Sequence, residues 1–188
     1  MQIVNLEEIQ GILLRLPEIV DHLEKNDPKF TALVKIWLAD LEKALARNRL
    51  PQAADVAALR SMLISAERGV VHEGLEFAGR KTTRKVKEAV ATESLRRAEG
   101  LASDAIRGYA DQIAEGEKLA RQLVALSEQK GIIQKFSGAS NHSAMLTGIW
   151  SAMSEDPDLV GGTTSLKGLV GFGDALILVD RMLPYFEE

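Results

Sequence analysis

Cysteine is absent from all 188 residues. That removes disulfides, thiol nucleophiles and thiolate metal sites together, and it favours a reducing compartment. Proline (5 residues) and aromatic side chains (5%) are scarce, whereas Ala, Leu, Glu, Lys and Arg abound, so intrinsic propensity leans to helix and an all-α fold is expected. Long apolar runs are missing too. The most apolar stretch, LVGFGDALILVD at 169–180, is cut by Asp174 and Asp180 and falls short of the ~20 residues a bilayer span needs. The opening MQIVNLEEIQ carries Glu7 and Glu8 where an export signal would be basic, so a cytoplasmic location is expected.

The motifs of common chemistries are absent as well. A phosphate-binding loop requires Gly-Lys followed by Ser or Thr, and here Lys167 is followed by Gly168 and Leu169. Gly168, Gly171 and Gly173 are spaced wrongly for a dinucleotide fingerprint and follow no strand pattern; the stretch reads as a tight connection in which Thr163, Thr164 or Ser165 caps a short helical turn. No serine has the context of an esterase elbow. His72 and Glu76 share metal-ligand spacing on a helix but have no third ligand, while His22 and His142 read as surface or cap histidines. No cofactor or metal is therefore expected. An enzyme or small-ligand binder with no recognisable motif is the least favoured reading, and an active site would have to lie near His72, Glu73 and Glu76 or near His142.

What is present is helical periodicity. Leu6, Ile9, Leu13, Leu16, Val20 and Leu23 recur at steps of three and four, with Pro17 predicting a break or kink. Asp27-Pro28 signals the next helix, whose stripe is Phe30, Leu33, Trp37, Leu41 and Ala44. Pro51 opens a third, with Val56, Leu59, Leu63, Ala66 and Val70. Glycines 69, 74 and 79 then mark a joint. From Thr83 to about Lys130 no proline intervenes, and a continuous helix of that length would reach about 70 Å, so it either bends or serves as a spine. Gly100, Gly108 and Gly116 recur along it beside an alanine-rich stripe, which suggests close approach of another helix. After Gly131, Ser140 or Asn141 caps a helix bearing Met145, Ile149, Trp150 and Met153, and a very apolar last helix should be buried around most of its girth. The expectation is an all-α helical bundle with one long central helix and a C-terminal helical pair. It is read as one domain, 1–188, with a joint at 69–83 separating a three-helix part (1–72) from the long helix and C-terminal helices (83–188).

Charge is the remaining feature. The chain's net charge is −4, yet residues 1–79 hold 9 basic and 12 acidic side chains, residues 80–108 hold 8 and 4, and residues 109–188 hold 6 and 11. The positive block opens with RKTTRKVK. On a helix, Arg80, Lys81, Arg84, Lys85 and Lys87 fall within an arc of about 160°, with Arg96 near its edge and Val86 and Val90 opposite. Such a face suits a nucleic-acid backbone. Against that stand a pI near 5.5 and the lack of aromatic residues among the basic ones. The favoured function is accordingly a non-enzymatic helical interaction protein, an adaptor or regulatory subunit, with a protein partner or itself as homodimer, paired along the alanine-rich central helix in bundle or coiled-coil fashion. A nucleic-acid-associated protein using 80–97 is the second reading. The six basic residues are the candidate anion- or partner-binding set.

Overall fold

Amphipathic stripes of this kind can satisfy their backbone groups internally and bury only one face, and the described residues adopt that solution. In the computed structural model, which describes residues 2–70, 83–136 and 141–184, every regular element is helical. These are α1 (Gln2–Leu13), α2 (Leu16–Glu24), α3 (Phe30–Arg47), α4 (Gln52–Glu67), α5 (Thr83–Gln129), a 3-10 turn (Ile133–Phe136), α6 (His142–Glu155), α7 (Val160–Val170) and α8 (Phe172–Met182). No strand occurs among the described residues. The fold is all-α, with one long helix.

The packing clusters into two units, Val4–Gly108 and Tyr109–Glu188 together with Met1–Ile3. In the first, the predicted break falls at Leu14 and Arg15, and α2 carries Pro17 in its first turn, where a missing N–H costs nothing. The break also resets the helical phase. Leu6 and Ile9 are buried as read, but beyond the break Ile19 turns inward and Val20 outward. Helix α3 forms the centre, with Phe30, Val34, Trp37, Leu38, Leu41, Ala44 and Leu45 all buried, and it lies against α2 and α4. Helix α4 presents Val56, Leu59, Leu63 and Ala66; Val70, beyond its end, is exposed.

Helices α2, α3, α4 and α5 end alike. A residue in the left-handed region follows each, and two backbone bonds close the end, as in Asp27 N–H to the His22 carbonyl with Asn26 N–H to Leu23. Gly69 and Gly131 take that position at no steric cost, while Arg49 takes it as a side-chain-bearing residue at φ 55°.

In the second unit, α6, α7 and α8 pack on one another, and Asn141 caps α6 by accepting a hydrogen bond from Ala144 N–H (2.8 Å). The stretch read as a connection is in fact α7, so three helices follow the 3-10 turn among the described residues. Three glycines do not prevent this, because packing outweighs propensity. Thr163, Leu166 and Val170 face inward, and a Cβ added to Gly162 would stand 2.7 Å from Leu123 of α5. Helix α8 leaves only Phe172, Gly173 and Arg181 exposed, as its composition predicted.

The evenly spaced glycines of α5 differ among themselves. At Gly116 a Cβ would meet Leu178 at 2.9 Å and Val170 at 3.0 Å, which is the close approach expected. At Gly100 and Gly108 it would meet nothing within 4 Å, and the helix is unbroken through both. Close approach therefore explains one glycine of the three.

Asp174 is the one buried carboxylate among the described residues, 4% exposed in the first turn of α8. It accepts the Gln2 N–H at 2.7 Å and the Ile3 N–H at 3.4 Å. Those donors have no partner inside α1, and the positive ends of two helix dipoles compensate the charge.

Candidate functional site

The basic residues named from the sequence divide on inspection. Arg80 and Lys81 lie outside the described residues, as do His72, Glu73 and Glu76. Arg84, Lys85 and Lys87 occupy the first turns of α5, with Val86 and Val90 buried opposite, so the amphipathic projection holds there. Arg84 is already engaged: its Nε donates to Glu88 at 2.7 Å, and its Nη2 donates to the Asn26 carbonyl at 2.7 Å, fastening the start of α5 to the corner after α2. Lys85 is exposed and Lys87 half-buried. Arg96 lies about 18 Å farther along the axis than Arg84, too far to act on the same small anion.

Arg96 is engaged as well. Glu93 accepts from Arg96 Nη2 at 2.9 Å and from Arg97 Nε at 2.6 Å. The Arg96 hydrogen bonds first, and the Arg97 bond second, hold the Glu93 carboxyl down to about 2. A lowered carboxyl stabilises the fold above its unfolded value near 4.5, and that contribution disappears as pH falls towards about 2. Melting curves should therefore show Glu93→Gln less stable than wild type at neutral pH, with the gap closing through that window. Curves parallel from pH 7 down to 2 would rule the linkage out.

No group of three His, Asp or Glu side chains is placed to hold a metal among the described residues, and no helix there is long and apolar enough to cross a membrane. His142 opens α6, where its Nε2 stands 2.6 Å from Asp180, and His22 Nδ1 stands 2.8 Å from Asp27. Both behave as cap or surface groups.

The surface that periodicity did not announce is a groove at the α1–α2 elbow. The break that Pro17 helps impose turns Leu13, Leu14, Leu16 and Pro17 toward the flank of α5, where Glu99 and Ser103 complete the rim with Gln10. Its volume is about 490 Å³, open to solvent and mostly apolar. Leu14 is 80% exposed, the most exposed large apolar side chain among the described residues. Glu99 has no basic partner within ion-pair distance among them. The sequence held one clue, since Leu14 stands off the stripe at the predicted break. Its juxtaposition with Glu99 and Ser103 is tertiary and has no local signature.

The chain matches no protein-family model, and neither the curated proteins nor the solved structures include one significantly similar to it. The functional reading therefore rests on these surfaces alone.

Proposed function

We propose that this chain is a non-enzymatic helical interaction protein, an adaptor or regulatory subunit that associates with itself. The observation that carries the reading is the elbow groove, where an exposed leucine and three further apolar side chains line a concavity with a polar rim. Apolar concavities with few polar groups are where proteins take up partner side chains. The alanine stripe of α5 is a poorer candidate for that role, because Ala98, Ala102 and Ala120 are wholly covered within the chain itself. The nucleic-acid reading has less support, since Arg84 and Arg96 are held by carboxylates and a phosphate would have to displace them.

Sedimentation velocity from low to high micromolar concentration tests the proposal. A sedimentation coefficient rising with concentration is expected; a strict monomer throughout would overturn self-association. A salt-sensitive gel shift lost on changing Arg84, Lys85 and Lys87 together to Gln would instead favour the nucleic-acid reading.

A further inference from the structure

Self-association through the elbow groove requires a side chain on a second copy that fills it. Candidates for the filling side chain are the other exposed large apolar residues, and two of the larger ones have a charged sequence neighbour that is already in an ion pair. Ile36 follows Lys35, whose Nζ is 2.8 Å from Glu67. Tyr109 is near Arg107, which holds Asp104 at 2.6 Å. Phe172 differs. The residue is 46% exposed, and Lys167 Nζ stands 5.9 Å from its ring centroid with no carboxylate in ion-pair distance among the described residues.

Phe172 is also held in place. Gly171, at φ 85° and ψ 161°, joins α7 directly to α8 and sets Phe172 as the first residue of α8. Its ring meets the buried Trp150 edge-on, with centroids 5.8 Å apart and planes at 73°. A ring fixed in this way loses little freedom on docking, which is the property of an anchor.

Resting on the self-association reading, we infer that Phe172 of one copy enters the elbow groove of a second copy, with Lys167 beside it meeting Glu99 on the groove's rim. The two surfaces complement each other in both respects on which a small interface depends. An aromatic knob flanked by a cation faces an apolar hollow flanked by a carboxylate, and neither charge is in an ion pair among the described residues. Knob and groove are different sites on the chain, so two copies can exchange both contacts about a two-fold axis, or each copy can use its knob on one neighbour and its groove on another, building a larger ring or an open chain. An interface that pairs one site with the same site on the partner, by contrast, would use the knob or the groove and not both.

That difference gives a decisive mixing experiment. Leu14→Asp blocks the groove and Phe172→Ala removes the knob; each variant alone should sediment as a monomer at concentrations where wild type forms larger species. An equimolar mixture should recover a single 1:1 complex that grows no further, because only one knob and one groove remain between them. Far-UV circular dichroism checks that Phe172→Ala stays folded. Independently of that variant, Lys167→Glu and Glu99→Lys should each weaken association several-fold at low salt, and the double variant should recover it. If wild type associates but the two blocking variants associate equally well, or their folded mixture yields no complex, the knob-and-groove contact is wrong while self-association stands. If wild type is a strict monomer, both fall.

Discussion

Replacing Trp37 by alanine should cost about 3 to 5 kcal/mol of folding stability, the range for deleting a wholly buried large aromatic side chain. Trp37 is the largest fully buried side chain among the described residues. It does more than fill volume. Its Nε1 donates to the Ile12 carbonyl at 2.8 Å, one of the last carbonyls of α1, which no further turn of helix can satisfy. Arg15 N–H reaches the same oxygen at a longer 3.2 Å. Trp37→Phe keeps much of the ring but removes the indole donor, so a smaller loss of about 1 to 2 kcal/mol is expected, part of it from the weakened carbonyl bond. Urea titration measures both. The chain's two tryptophans, Trp37 and Trp150, fall one in each packing unit. Fluorescence of Trp150→Phe therefore follows Trp37 alone, and far-UV circular dichroism reads the Trp37 variants. A Trp37→Ala variant within about 1 kcal/mol of wild type would contradict the packing described for α3.

The second large effect concerns glycine, and its sign depends on position. Gly148→Ala should destabilise the protein by about 1 to 3 kcal/mol through overpacking, although alanine is intrinsically the better helix former by about 1 kcal/mol. A Cβ at 148 would stand 2.5 Å from Phe136 Cε1 and 2.7 Å from its Cδ1, so the ring at the end of the 3-10 turn rests directly on the α6 backbone. Rings do not deform, and this one would have to move as a whole. Gly100→Ala meets nothing within 4 Å and should stabilise by about 0.5 to 1 kcal/mol, propensity acting without a packing penalty. Thermal melts of the two variants should move in opposite directions. A stabilised Gly148→Ala would mean that Phe136 has room to shift at little cost.

This contrast shows where a one-dimensional reading stops. Helix class, the break near Pro17, the α3 and α4 stripes and the Asn141 cap were legible because each is encoded within one or two turns. The carboxylates that hold Arg84 and Arg97 were not read, although Arg84–Glu88 and Glu93–Arg97 are four apart, a spacing that pairs on a helix. Helix α7 was hidden because local propensity at Gly161, Gly162 and Gly168 points away from helix, and only the packing of Thr163, Leu166 and Val170 reverses it. Gly100 and Gly116 look identical in sequence and differ only in what lies over them. The elbow groove joins residues 10–17 to residues 99 and 103, and no periodicity spans that gap.

The Asp174 contact has a temporal side. Its partners Gln2 and Ile3 lie 172 and 171 residues away along the chain. At about 5 to 20 residues per second of synthesis, roughly 9 to 34 s pass between the making of the donors and of their acceptor. Throughout that interval the Gln2 and Ile3 N–H groups lack the carboxylate acceptor that they have in the folded chain. The start of α1 thus reaches its final hydrogen bonding only after the first turn of α8 has been translated.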